Sequence, residues 1–188
     1  MIITLDDAQL INPSIDQSAL DGLEQSIRAL THNKFQNLNI RFYQFKVTNE
    51  DTLEFNEALA YLRPNDTIEI SNTWSQTGSG LNQDIGVNDG LCVIEEINDK
   101  TIKLKDATLF NGSFQSAFIT KISYPPDVVE GVKKLLQYDV SMGDKLGIKS
   151  ESISRMSVTY YDVNSNESIN GYPASLFGFI KKYKKMRW

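Results

Sequence analysis

The stretch Leu91-Cys-Val-Ile-Glu-Glu-Ile-Asn-Asp-Lys-Thr-Ile-Lys-Leu-Lys105 predicts two β-strands joined by a short turn. In its second half, Thr101–Lys105, apolar side chains alternate with lysines, which is the period of a strand that buries one face. The turn residues Asn98-Asp99-Lys100 separate this strand from the strand-like segment Leu91–Ile97. This segment therefore predicts a β-hairpin and makes the middle of the chain β-rich.

Further strand-like segments lie on both sides of this hairpin. Three of them are rich in β-branched and aromatic residues, namely Ile40–Val47, Thr67–Ser71 and Ala117–Ser123. A polar, glycine-rich connection over residues 77–90 separates two of the strands. Several short strands with turn residues between them predict a small β-barrel of SH3-like or OB-like type over residues 37–123.

Helical spacing dominates before this region. Thr4 is expected to cap a short helical turn at Leu5–Leu10, and Ser14 with Gln17 fits the capping box of a longer helix. The apolar residues of the longer helix are expected on one face: Leu20, Leu23, Ile27 and Leu30. The charged residues are expected to face elsewhere: Asp21, Glu24 and Arg28.

Helical spacing returns after Tyr124. Pro125-Pro126-Asp127 suits the first turn of a helix, which continues as an apolar stripe of Val128, Val132, Leu135 and Leu136. A loop with Gly143 and Gly147, a strand at Ser154–Tyr161 and a last helix that opens at Tyr172-Pro173 and includes Leu176, Phe177 and Ile180 are expected to follow. The predicted fold is α+β, with a helical core of residues 1–36 and 124–188 and the β-rich region inserted between them.

Composition excludes several classes of protein. The chain has 188 residues, 40% of them hydrophobic and 23% charged, as in ordinary globular proteins. A single cysteine excludes an intrachain disulfide, and no apolar run is long enough to cross a bilayer. The acidic start, Met-Ile-Ile-Thr-Leu-Asp-Asp, does not resemble a signal peptide, so we expect a protein made in the cytoplasm that acts without a membrane.

Charge is distributed unevenly along the chain. Residues 1–180 hold 14 basic against 24 acidic side chains, a net charge of −10, whereas the last eight residues hold five basic and no acidic ones. An acidic body repels a phosphate backbone, which disfavours broad binding to nucleic acid.

Residues that could support catalysis or bind a metal are few. His32, at the polar end of a helix, is expected to be a surface or capping residue, and Cys92, within a strand, a buried inert thiol. With one histidine and one cysteine, the chain cannot form a common zinc site. Residues 84–95 resemble a calcium loop only faintly, because the glycine is displaced and Gly86 offers no ligand. We predict no catalytic residues, no metal site, no cofactor and no enzymatic activity.

The basic C-terminus has two interpretations. Its lysines can complement the negative end of a helix, or the segment can dock on a partner, because aromatic residues and methionine favour interfaces. We predict docking, through Lys181, Lys182, Tyr183, Lys184, Lys185, Met186, Arg187 and Trp188.

Four segments outside the β-rich region resemble head–tail connector (head completion, or adaptor) proteins of tailed phages. They are residues 23–35, 124–138, 145–160 and 172–188, which resemble in turn the first long helix, a second helix, the loop and strand before the last helix, and the closing helix with its basic end. The resemblance spans about the first 36 and the last 65 residues. The inserted β-rich region departs from the family.

The resemblance implies a structural virion protein at the head–tail interface, assembled in the host cytoplasm. Such proteins form a ring in the assembled virion, commonly of twelve subunits, beneath the portal protein, and the isolated protein can be a monomer. The ring joins the portal to a stopper or tail-completion protein and extends the channel through which DNA passes without specific binding. The resemblance carries over no catalytic residue.

Two other functions compete with this one. A single-stranded nucleic-acid-binding barrel would use Trp74, Phe42, Tyr43 and Phe45 as stacking platforms. A cell-wall hydrolase would need two carboxylates in one pocket, one of them with a raised pKa.

Overall fold

Six strands of the central region close into an antiparallel barrel in the computed structural model, which describes residues 1–73, 86–142, 150–153, 156–159, 168–169 and 171–186. The strand order is β1-β2-β5-β4-β3-β6, and β6 pairs with β1 to complete the circle. The strands are β1 (Gln36–Asn49), β2 (Thr52–Phe55), β3 (Thr67–Ser71), β4 (Gly90–Asn98), β5 (Thr101–Leu104) and β6 (Gly112–Ile122).

The barrel has its own apolar core. Side chains from all six strands fill it, among them Leu53, Ile68, Ile94, Ile102 and Ile119, none of which retains measurable exposure. The predicted alternation in β5 is confirmed, because Ile102 and Leu104 are buried and Lys103 is exposed. An α+β fold with a closed barrel is therefore the observed architecture, as predicted.

One strand of the barrel escaped prediction. Thr52–Phe55 forms β2, which pairs with β1 through Phe45 opposite Phe55 and with β5 through Leu53 opposite Ile102. The segment has only four residues, two of them polar, so its buried pair Leu53 and Phe55 gives a weak strand pattern. It fills the gap between β1 and β5, where the barrel needs a sixth strand.

The chain divides into two compact units. One consists of Lys34–Ser123 and contains the barrel, and the other consists of Met1–Asn33 together with Tyr124–Trp188. In the barrel unit, the backbone N–H of Ser123 donates to the carbonyl of Phe35 at 2.9 Å, so the chain enters and leaves the barrel at neighbouring points.

The second unit, called here the flanking unit, is built on three α-helices: α1 (Leu5–Gln9), α2 (Gln17–Thr31) and α3 (Pro126–Met142). Thr4 caps α1 as predicted, but the predicted capping box at Ser14 is wrong. Asp16 is the N-cap of α2 and accepts from the backbone N–H of Ala19 at 2.8 Å, because a carboxylate one residue before the helix reaches that N–H directly.

The predicted apolar stripe of α3 is confirmed. Val128, Val132, Leu135 and Leu136 are buried together with Gly131. The last helix of the flanking unit, Ala174–Tyr183, is a 3-10 helix. Residues three apart share a face in this type of helix, and Phe177 and Ile180 are its buried residues.

Two short strand pairs complete the described part of the flanking unit. β7 (Ser150–Ile153) pairs with β8 (Met156–Thr159), and β9 (Ser168–Ile169) pairs with β10 (Tyr172–Pro173). β8 lies within the strand predicted at Ser154–Tyr161, whose ends fall outside the described residues, as do Gly143 and Gly147.

Candidate partner-binding site

The C-terminal segment predicted to bind a partner is the end of the 3-10 helix and the residues after it. The helix packs on α3 at Gly131, where the ring of Phe179 occupies the space that a side chain would fill. The rings of Phe177 and Phe179 stack at 6.4 Å between centroids, and that of Phe177 meets the ring of Tyr172 edge-on at 6.0 Å. These contacts fix where the basic residues leave the folded unit.

Asp127 at the start of α3 holds two residues of this segment. Its carboxylate accepts a hydrogen bond from the Tyr183 hydroxyl at 2.6 Å and forms an ion pair with Lys182 Nζ at 2.7 Å. Bonds from Lys182 and Tyr183 hold the pKa of the Asp127 carboxyl below its ordinary value. Lys182 and Tyr183 are thus engaged within the flanking unit.

The segment also contacts the C-terminal end of α2. The backbone N–H of Lys185 donates to the carbonyl of Thr31 at 2.8 Å, and the side-chain amide of Asn33 donates to the carbonyl of Tyr183 at 3.3 Å. A carbonyl in the last turn of α2 thereby gains a donor from the basic segment, as helix ends require.

Five of the described residues of the predicted set present their side chains to solvent. Lys181, Lys182, Lys184 and Lys185 are exposed, and Met186 retains 78% of its surface. Arg187 and Trp188 lie outside the described residues. The structure gives this segment a defined origin and an exposed cationic surface, and its binding to a partner stays a prediction.

A buried charged cluster lies in α2, where the prediction for Glu24 is wrong. Glu24 is only 5% exposed, forms an ion pair with the Met1 ammonium group at 3.2 Å and accepts from the Tyr124 hydroxyl at 2.8 Å. It lies four residues after Leu20 and three before Ile27, so helical geometry places it on the buried face. Burial raises the pKa of Tyr124 and lowers that of the Met1 ammonium group.

Two of the four side chains that the nucleic-acid hypothesis required for stacking are buried in the barrel. Phe42 and Phe45 are 9% and 3% exposed and pack against Phe55 in the core, so their predicted role in stacking is wrong. Strand alternation places Tyr43 on the outer surface, where it is 55% exposed and packs against Phe118. Trp74 lies outside the described residues.

Asp89 joins the two sides of the glycine-rich connection. Its carboxylate accepts from the backbone N–H groups of Asn72 and Thr73 at 3.1 and 2.9 Å, and from the Thr73 hydroxyl at 2.6 Å. The neighbouring Asn88 exchanges two hydrogen bonds with the backbone of Phe110 at 3.0 and 2.8 Å. Of the predicted loop, residues 77–85 lie outside the described residues, and Asp89 is occupied as a structural acceptor.

His32 and Cys92, which the sequence analysis considered for catalysis and metal binding, occupy positions that the fold itself explains. His32 ends α2 in a left-handed conformation with φ of 49°, in agreement with the predicted capping role. Cys92 is partly buried beside the barrel core, and its burial raises the pKa of the thiol to about 11.

Among the described residues, no group of three or more potential ligands is placed to hold a metal ion, and no helix is long and apolar enough to cross a membrane.

Comparisons with known proteins add little to this geometry. No protein-family model matches the sequence, and no curated protein matches it. Among solved structures, the chain is similar to the tailspike protein gp49 from Pseudomonas phage LKA1, with 17% identity and a TM-score of 0.33. The match covers 45% of this chain and 14% of the tailspike chain. A similarity at this level carries no argument about function.

Proposed function

We propose that this protein is a non-enzymatic structural subunit of a phage virion that forms a ring at the head–tail interface. The ring joins the portal protein to the next neck or tail component and extends the DNA channel. The four segments that resemble connector proteins carry this proposal, and they belong to the flanking unit except for Lys34 and Phe35 at the end of the first segment. The barrel, which departs from the family, is a separate compact unit that begins at Lys34 and ends at Ser123.

The charge of the chain is consistent with a channel wall. Residues 1–180 carry a net charge of −10, and a surface with the sign of the phosphate backbone does not hold DNA by ion pairing. The cationic side chains at the C-terminus, by contrast, suit a contact with an acidic protein surface.

The direct test is assembly with the portal. The purified protein is mixed with the portal protein from the same genome, and the complex is examined by native mass spectrometry and electron microscopy. We expect a closed ring of this chain on one end of the portal. A protein that remains monomeric and does not bind the portal over a range of salt and protein concentrations would contradict the proposal.

Single-stranded nucleic-acid binding is the alternative that one feature of the barrel favours. Arg41 lies 4.3 Å from the ring centroid of Phe118, which also packs against Tyr43 at 5.8 Å, so a cation and two aromatic rings adjoin on the outer surface. Titration with a labelled single-stranded oligonucleotide separates the two functions. A connector gives no salt-dependent binding, whereas an oligonucleotide binder loses affinity after Tyr43→Ala.

A further inference from the structure

The flanking unit exposes two surfaces of opposite charge. The first, called the basic segment, comprises Lys181–Met186, in which four lysines are exposed. The second, called the acidic face, belongs to α1 and the start of α2, and its exposed carboxylates are Asp6, Asp7, Asp16 and Asp21. Residues 1–33 contain five acidic side chains and a single basic one, Arg28. Each surface is therefore dominated by one sign of charge.

Each of these surfaces also exposes a large apolar side chain. Leu10, just after α1, retains 85% of its surface, and Met186 retains 78%. A charged surface that includes an exposed apolar side chain has the composition of a protein contact, in which apolar atoms are buried at the centre and charges surround them. The two surfaces thus complement each other in charge and share an apolar component.

Asp16 of the acidic face and the basic segment lie at opposite ends of α2. Asp16 caps the N-terminal end of this helix, whereas Lys185 bonds to Thr31 in its last turn. A helix of 15 residues is about 22 Å long, which exceeds the screening length of about 8 Å at physiological ionic strength. The basic segment of one molecule is consequently too far from Asp16 to pair with it in the same molecule.

We propose that the basic segment of one copy docks on the acidic face of a second copy of this chain. A contact between two different surfaces of the same chain is a head-to-tail contact, which closes into a ring when the rotation between copies allows it. The inference rests on the proposed ring and deepens it by naming the residues that join neighbouring subunits. Long-range attraction between the two surfaces brings the copies together, and contacts of Leu10 and Met186 add apolar burial.

Reversing two charges on each surface separately tests the contact. One variant carries Lys184→Glu and Lys185→Glu, and the other carries Asp6→Lys and Asp7→Lys. The first variant lowers the summed charge of the basic segment from +4 to 0, and the second raises that of the acidic face from −4 to 0, so we expect self-association at low ionic strength to be lost in both. In a mixture, the unaltered basic segment of the second variant meets the unaltered acidic face of the first, and we expect that contact to form again. Sedimentation velocity measures the sizes of the particles.

A matched control changes the charge elsewhere. Glu54→Lys with Glu57→Lys makes the same change in net charge as the α1 variant, at exposed positions of the barrel unit. We expect this variant to associate like the wild type, and thermal unfolding verifies that all the variants fold. The proposal is overturned if the wild type stays monomeric at high concentration and low salt. Variants that associate like the wild type, or a mixture that stays dissociated, overturn it as well.

The outcomes for this contact and for the connector function are distinguishable. If rings form on the portal and neither pair of substitutions disturbs them, the connector function stands and the proposed contact fails. If the charge-swapped mixture associates but nothing binds the portal, the contact stands and the connector function fails. Binding of the basic segment to the portal alone would appear as lost portal binding with unchanged self-association, and it too overturns the contact between copies.

Discussion

Gly131 and Gly22 both lie in helices, and we expect replacement by alanine to change the stability of the protein in opposite directions at the two positions. A Cβ added at Gly131 would lie closer than 3.0 Å to three ring atoms of Phe179, whereas one added at Gly22 meets nothing within 4 Å. We expect Gly131→Ala to lower the free energy of unfolding by about 1–3 kcal/mol through overpacking. Gly22→Ala should raise it by about 0.5–1 kcal/mol through helix propensity. Urea denaturation measures both, and equal effects would contradict the packing of the 3-10 helix on α3.

Cys92 provides a chemical test of burial in the barrel. With its pKa raised to about 11, the thiol holds far less of the reactive thiolate at pH 8 than an exposed cysteine does. We expect a thiol reagent to label the folded protein at least about a hundredfold more slowly than the protein in denaturant. Equal labelling rates would show that the barrel does not bury this side chain.

Asp89 is expected to matter for stability although it belongs to the faint calcium-loop pattern. Asp89→Ala removes the acceptor for three donors on Asn72 and Thr73 and should lower the free energy of unfolding by about 1–3 kcal/mol. Asp99→Ala, at an exposed turn of the same barrel, is the matched control and should change it much less. Addition of calcium should leave the thermal unfolding of the wild type unchanged, and a calcium-dependent shift would contradict the structural role.

At the scale of elements, the attachment of the C-terminal 3-10 helix to α3 depends on pH through Asp127. Bonds from Lys182 and Tyr183 depress the pKa of this carboxyl in the folded state. The stabilisation is therefore fully present above the unfolded-state value, ordinarily 3.8, and is lost as the pH falls through the lower folded-state value. Asp127→Asn should weaken this acid-dependent loss of stability, measured as unfolding free energy between about pH 2 and 6. An unchanged pH profile would show that the ion pair is not formed in solution.

Elements in which apolar residues recur with a clear helix or strand spacing could be predicted from the sequence. Elements in which this spacing is weak could not. The apolar stripe of α3 and the alternation of β5 each repeat long enough to define a buried face, and both are confirmed. β2 was missed because four residues show too little alternation. The buried position of Glu24 was available from its spacing to Leu20 and Ile27, but its charge argued for exposure. The group that pairs with this carboxylate is the Met1 ammonium group, which belongs to a residue far from Glu24 in the sequence.

For the candidate partner-binding site, the sequence predicts which residues form the basic segment, but only partly how the fold arranges them. A run of lysines with aromatic residues identifies a basic segment in any sequence. The engagement of Lys182 and Tyr183 by Asp127 depends on the packing of the 3-10 helix on α3, because the residues lie more than 50 positions apart.

For the molecule as a whole, the barrel should fold without the flanking unit. Its core is formed by residues within Lys34–Ser123, and the closed sheet leaves no unpaired strand edge. We expect a protein of residues 34–123 to unfold cooperatively in urea and to retain β-type circular dichroism. Ile68→Asp, which places a charge in the core, is the control and should abolish the transition. A disordered fragment of residues 34–123 would show that the barrel needs the rest of the chain.

The hydrogen bond between Ser123 and Phe35 has a consequence for how the chain folds. In an unfolded chain, α2 and α3 are separated by about 90 residues, and closing such a loop carries a large entropic penalty. Once the barrel has formed, its two ends are held side by side, and the two helices behave kinetically as if joined by a short turn. Folding of the flanking unit should therefore accelerate after the barrel is complete, which favours a refolding order in which the barrel forms first.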